Sequence, residues 1–275
     1  MKTTRLILGL AVPVLATWAI RSKIRSERVA NAPDIATYVK LAYKPIVKWA
    51  ANGALRGKYF DRAQPTQGRF TRTVENRILD RAWRNYDELA PAAHVERLKT
   101  LGNRQNVLLG VLTHGIYRAL LEEGVEKEYA TEMVSDLMWK VYETWLVLPR
   151  SIARLLARDP QKQMDMMLRM FLRYPFSRPG YDSRVLRETD FFALDIYRCP
   201  VYDYFRARGE EEFMLNSWCM QDFALAQAMT KGGSYERPHT LAAGDNVCDM
   251  KWFGKPKETQ RFFPRRPPIV EEGVP

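Results

Sequence analysis

"DFFALDIYRCP", residues 190–200, is where this 275-residue chain changes character. Phe192, Leu194 and Ile196 alternate onto one face, the two-residue period of a strand half buried against a core. Cys199-Pro200 closes the run. Proline has no N–H for a sheet ladder, and its fixed φ suits the first position of a helix. "PVYDYFRARG", 200–209, then reads as a short helix ended by Gly209.

Upstream of this junction the period is helical. Val134, Leu137, Met138, Val141 and Trp145 form the strongest apolar stripe, ending near Pro149. Val107, Leu108, Val111, Leu112, Gly115 and Ala119 form a second, and Val74, Ile78, Ala82 and Tyr86 a third. Asp159-Pro160 is a helix start, followed by Met164, Met167, Leu168, Phe171 and Leu172 on one face. "YPFSRPGYDS", 174–183, breaks the helical pattern. Downstream, "EEFMLNSWCMQDFALAQAM", 211–229, reads as one helix, stopped by Gly232-Gly233. "RPHTLAAGDNVCDMKW", 237–252, reads as a β-hairpin turning at Gly244-Asp245-Asn246. In it Arg237, His239 and Leu241 share a face, while Cys248, Met250 and Trp252 alternate toward the core. Pro238 puts the first of its strands at an edge or a bulge. The expectation is an α+β fold: a block of helices, then a small antiparallel sheet packed with helices.

The ends differ from the body. The net charge is +11, but residues 1–29 hold six Lys/Arg against one Glu and residues 251–275 hold six against three. That leaves the body only weakly basic, which suits a membrane surface or an acidic partner better than a duplex-binding face. No zinc-finger or RNA-binding signature is present, so nucleic acid is set aside. "LILGLAVPVLATWAI", 6–20, is uncharged and flanked by Lys2, Arg5, Arg21 and Lys23. Fifteen helical residues reach about 22 Å, and snorkelling Arg5 and Arg21 extend that toward the roughly 30 Å hydrocarbon core. Residues 1–29 are therefore expected to be an uncleaved membrane anchor with the body facing the cytoplasm. Residues 30–69 form a linker containing a short amphipathic helix (36–55) and a loop at 61–68. Residues 70–253 form the α+β domain, and 254–275 a proline-rich basic tail. In the cytoplasm the three cysteines stay thiols.

Several side chains are candidates for chemistry. Cys199 stands where a strand meets a helix, a place where amide groups favour a thiolate, or where a small residue simply fills a tight junction. Cys219 and Asp222, three apart, share a helix face that points inward, so the carboxylate needs a partner such as Arg237 or His239. The same pair also serves as a plain salt bridge between helix and sheet. Cys248 reads as core packing. Cys199, Cys219, Cys248 and His239 make a conceivable Cys₃His zinc set, but no CxxC or HxxxH spacing supports it, and the reading is a site without metal or cofactor. His94, in an alanine-rich loop, and His114, at the edge of an apolar stripe, read as structural.

The order of three motifs is more telling. "FALDIYRCPVYDYF", "WCMQDFALAQAM" and "ERPHTLAAGDNVCDMKW" carry Arg198-Cys199-Pro200, then Cys219–Asp222, then Arg237, Thr240, Leu241, Gly244, Cys248 and Asp249. This pattern resembles the L-2-amino-thiazoline-4-carboxylic acid hydrolase family over roughly residues 70–253. The last motif also resembles the closing hairpin of vinyl-reductase-type ligand-binding domains. The resemblance implies opening of a thiazoline ring: water adds to the amidine-like carbon and a carbamoyl-cysteine results. From the residue chemistry, Cys219 is the candidate nucleophile and Asp222 the acid/base, with Cys199 beside them. Arg237 or Arg198 would clamp the substrate carboxylate, with His239 and Thr240 also in the binding set. Gly244, Cys248 and Asp249 would shape the turn. The Arg237 side of the hairpin is expected to meet the Cys219–Asp222 face and close a pocket. The alternative is an inactive ligand-binding or accessory subunit of a membrane complex.

Overall fold

Helix α3 (Leu101–Glu122) organises the helical half, because nearly every residue from Gly102 to Tyr117 is buried. The computed structural model of the chain describes residues 35–56, 70–187 and 190–257. Such burial puts polar side chains inside, and each needs a partner. Asn103 Nδ2 donates to the Pro175 and Ser177 carbonyls at 2.9 and 3.0 Å, and Gln105 Nε2 donates to the Tyr43 hydroxyl at 2.7 Å. Around α3 pack α1 (Ile35–Ala54), α2 (Arg72–Leu89) and α4 (Lys127–Leu156). Gly115 lets α2 come close, since a Cβ there would lie 2.8 Å from the Ala82 carbonyl oxygen.

The α4 stripe does not end at Pro149. The helix continues through it to Leu156. Helix α5 (Pro160–Arg173) starts as the sequence implies, with the Asp159 carboxylate accepting from the Lys162 N–H at 2.9 Å. In α1 the inward face is Val39, Tyr43, Val47, Ala50 and Ala51, which leaves Tyr38 and Leu41 outward.

The sheet has four antiparallel strands in the order β1-β2-β4-β3: β1 (Asp182–Arg187), β2 (Phe192–Arg198), β3 (Ser234–Glu236) and β4 (Cys248–Phe253). Ile196 pairs with Cys248, Leu194 with Met250 and Phe192 with Trp252. All six side chains therefore share the inner face, and all are buried. Strand β1 was not expected from the sequence, where its residues overlap the proline- and glycine-bearing breaker.

Two local expectations are corrected. Residues 211–229 are not one regular helix: α7 (Glu211–Met214) passes through a π-turn (Leu215–Cys219) into α8 (Gln221–Met229). The 237–252 segment is not a simple hairpin either. Pairing with β4 stops at Glu236, and the chain leaves the edge strand at Arg237 to form a 3₁₀ turn at Leu241–Ala243. Pro238, which has no N–H to donate, stands just where the ladder ends.

The α+β class is observed. The proposed membrane helix falls on residues 1–29, outside the described residues, as do the 61–68 loop and most of the 254–275 tail. Among the described residues no helix is long and apolar enough to cross a membrane.

Candidate functional site

Arg237, at the point where β3 gives way to the 3₁₀ connection, turns inward, and its side chain is only 3% exposed. Its Nη1 donates to the Asp222 carboxylate at 3.0 Å and to the Cys219 carbonyl at 3.2 Å. The π-turn matters here. It widens the helix just ahead of α8, and the Cys219 carbonyl at its end takes up this side-chain donor. Tyr235, two residues earlier on the edge strand, adds its hydroxyl to the same Asp222 oxygen at 3.3 Å. The guanidinium also lies over the Tyr235 and Phe223 rings, 5.7 and 5.9 Å from their centroids.

These groups border a cavity of about 100 Å³. Its walls come from α5 (Leu168, Phe171), the inner sheet face (Leu194, Ile196, Met250, Trp252) and the π-turn (Trp218, Cys219). Asp222, Arg237 and Thr240 supply polarity, and Cys199 and Cys248 complete the thiol set. Burial pushes the Asp222 carboxyl above its ordinary range, with Arg237 and the Tyr235 hydroxyl pulling the other way. Burial also works against the charge on Arg237, but the surrounding Tyr235, Cys219 and Asp222 outweigh it, so the guanidinium stays charged.

The thiols are a correction to the thiolate reading. Cys199 caps α6 (Pro200–Arg206), with Sγ accepting from the Tyr202 N–H at 3.5 Å, yet burial pushes it up to about 12. Burial likewise raises Cys219 and Cys248. All three are protonated at neutral pH. They face one cavity, but among the described residues no group of three or more His, Cys, Asp or Glu is arranged to hold a metal ion.

The remaining candidates separate into lining and support. Thr240 lines the cavity, and its N–H is fixed by the Asp245 carboxylate at 2.7 Å. Cys248 Sγ accepts from the Leu241 N–H at 3.3 Å and contacts the Thr240 hydroxyl at 3.4 Å, so it both lines the cavity and ties the connection to β4. Gly244 ends the 3₁₀ turn at φ 97, a conformation that suits glycine. Asp249 accepts from the His239 N–H at 2.7 Å and contacts its Nδ1 at 2.8 Å. His239 is thereby held on the outside, 58% exposed, and its pKa is raised by that carboxylate. Arg198 is also outside, paired with Asp203 at 3.2 Å. Neither Arg198 nor His239 reaches the cavity wall, because a register shift between the Ile196 and Arg198 pairings breaks the alternation at the end of β2 and His239 stands beyond the point where the chain leaves the sheet.

Tyr235 was missed from the sequence. The signal was its place on the edge strand, two residues before Arg237. The apolar wall from α5 was also missed, since helix periodicity marks Leu168 and Phe171 as core without saying what the core encloses.

No curated protein and no solved structure matches this chain. A family model, that of L-2-amino-thiazoline-4-carboxylic acid hydrolase, matches residues 106–252. That span is more than half of the chain, and it includes α5, the sheet, the π-turn and every residue that borders the cavity. The chain belongs to the L-2-amino-thiazoline-4-carboxylic acid hydrolase family.

Proposed function

We propose that the protein hydrolyses a small cyclic amidine acid of the 2-amino-thiazoline-4-carboxylate type, opening the ring in the cavity at Arg237 and Asp222. The observation that carries this reading is the pair of buried Arg237 and half-buried Asp222 on the wall of an otherwise apolar cavity. The cavity is small, about 100 Å³, which confines any occupant to a compact molecule. Arg237 orients the substrate through its carboxylate.

In the reaction, water adds to the carbon between N and S, and its proton is taken up. The ring nitrogen receives the electrons of its double bond and takes the remaining water proton as the hydroxyl becomes a carbonyl. The carbon–sulfur bond breaks with its electrons on sulfur, which takes the first proton and leaves as a thiol. Asp222 is the titratable carboxyl on the cavity wall, and its raised pKa suits it to receive the proton from water and deliver it to sulfur. The protonated thiols support a route by direct hydration. A covalent route through Cys219 would first need its proton removed by Asp222, the same carboxyl that activates water in the direct route.

The test is release of free thiol from 2-amino-thiazoline-4-carboxylate. Turnover is expected for the wild type. Asp222→Asn is expected to lower it by about 10²- to 10⁴-fold, the usual worth of an acid/base group. Cys219→Ala should keep most of it. Loss of all turnover in Cys219→Ala, with the melting temperature unchanged, would instead support the thiol as nucleophile. Ligand binding without any turnover would favour an accessory role.

We also propose that residues 1–29 attach the body to a membrane, on its cytoplasmic side. The support is the uncharged run 6–20 with its basic flanks, together with an outward α1 face that carries Tyr38, Leu41, Lys44 and Lys48 and has no acidic residue along the helix. Deleting residues 1–29 should release the protein from membranes at high salt. Retention would shift the attachment to α1.

A further inference from the structure

We infer that the C-terminal end of α4 is a membrane-contact face: Leu155 and Leu156 enter the interfacial region of an anionic bilayer while Arg154 and Arg158 meet its headgroups. This adds a second contact to the attachment proposed for residues 1–29, and the observations behind it do not depend on that reading.

The inference starts from an apolar stripe that runs out of cover. Val141, Trp145, Leu148, Ile152 and Leu155 step alternately by four and three along α4, so they share one face. At the start of the stripe Val141 is fully buried. The Trp145 ring packs on Tyr43 of α1, with centroids 6.4 Å apart. Leu148 and Ile152 are half-buried. Leu155 is then 85% exposed and its neighbour Leu156 66%. Among the described residues no large apolar side chain is more exposed than Leu155. A lone exposed leucine needs no explanation, but two adjacent ones that prolong a buried stripe form a patch.

The charges around the patch select its partner. From Thr144 to Gln163 the chain carries Arg150, Arg154, Arg158 and Lys162 against a single acidic residue, Asp159. Arg150 turns back to the body, where it donates to the Ala228 carbonyl at 3.1 Å. Asp159 is engaged as the cap of α5, accepting from the Lys162 N–H. Arg154, Arg158 and Lys162 are exposed, and among the described residues none of their side chains pairs with a carboxylate. Arg154 and Arg158 are one turn apart and Arg158 lies three residues beyond Leu155, so the cations flank the leucines.

Three partners meet this face differently. A second copy of the chain repeats the same patch across a two-fold contact, which gathers cations from both sides and brings no carboxylate beyond Asp159. A neutral bilayer takes the leucines and leaves the arginines without counter-charge. An anionic bilayer answers both, with the leucines in the headgroup–acyl boundary and the arginines drawn to the surface potential. The helix end lies on such a surface without crossing it, since no described helix is long and apolar enough to span.

The experiment places the environment-sensitive fluorophore NBD on Ser151→Cys, an exposed position one turn before Leu155, in the full-length protein. Wild-type protein carried through the same labelling reports any reaction at the three native cysteines. Labelled protein is reconstituted with vesicles of phosphatidylcholine alone or containing about one-third phosphatidylserine. Sedimentation reports attachment, and quenching by brominated acyl chains reports contact of this face with the bilayer. On anionic vesicles the label is expected to shift to shorter wavelength and to be quenched. Without phosphatidylserine the quenching should fall by about tenfold, because each surface cation contributes roughly fivefold to partitioning. Leu155→Glu combined with Leu156→Glu should abolish quenching on either vesicle and leave the melting temperature unchanged, both side chains being exposed.

A label that stays aqueous on anionic vesicles would overturn the inference, whether or not the protein sediments. So would quenching that survives the double glutamate substitution. A blue shift that grows with protein concentration in the absence of vesicles would overturn it too, in favour of a second copy on this face. If the protein sediments with both vesicles and the label stays aqueous, the anchor at residues 1–29 stands and the α4 face fails. If it sediments with anionic vesicles alone and the double substitution releases it, the α4 face stands and the anchor fails.

Discussion

Arg237 and Cys248 lie on the same cavity wall but do different work. Arg237→Lys keeps the charge but loses the planar fork, which here bonds two acceptors through Nη1. Ligand affinity is expected to fall by about ten- to a hundredfold, measured by calorimetry with a ring carboxylate. Cys248→Ala removes a small buried side chain and the acceptor for the Leu241 N–H. It is expected to cost about 1–2 kcal/mol in chemical denaturation, with ligand affinity little changed. Much of the site was legible in the sequence: the i, i+3 spacing of Cys219 and Asp222, and the need of an inward carboxylate for a cation, pointed to Arg237 or His239, and the structure pairs Asp222 with Arg237. The misplaced residues have a common cause. Assigning His239 to the same face as Arg237 assumed that the strand continues, but the ladder ends at Glu236, and past that point alternation says nothing about direction. The protonated state of the thiols was not legible either, because it depends on how completely distant elements bury them.

Elements with one strong local signal were readable, and those that depend on their neighbours were not. The alternation in β2 and the Asp159-Pro160 start of α5 each sit within a few residues of sequence. Strand β1 is an edge strand beside the Pro/Gly-rich breaker, and its identity comes from pairing with β2. The π-turn carries no marker of its own, since Leu215–Cys219 looks as helical as the residues on either side. One glycine shows how tightly the sheet is fastened to α5. Gly254, just after β4, donates to the Gln161 side chain at 2.6 Å, and its carbonyl accepts from the Thr230 hydroxyl at 2.9 Å. A Cβ there would lie 2.4 Å from the Gln161 backbone nitrogen. Gly254→Ala is therefore expected to push β4 away from the start of α5, lowering stability by about 1–3 kcal/mol in a urea titration.

At the scale of the whole molecule there are two apolar clusters. One lies among α1 to α4, α6 and α7, and the other lies between α4, α5, α8 and the sheet. Cys199 and Tyr202 pack against both, and the cavity opens where the two meet. The first cluster has its own sensitivity to acid. Burial, with help from Arg118 and Arg208, lowers His114 to about 4, and its ring contacts the Tyr204 hydroxyl at 3.1 Å. A depressed pKa contributes stability above the unfolded value of about 6.5 that is lost as pH falls toward the folded value. Between those limits the loss is expected to approach about 3 kcal/mol, and His114→Phe should flatten it when denaturation is compared at pH 7 and pH 4.5. The junction of the two clusters also has a mechanical consequence. A ligand seated where the two clusters meet touches both, so its binding free energy is added to the work of pulling one cluster away from the other.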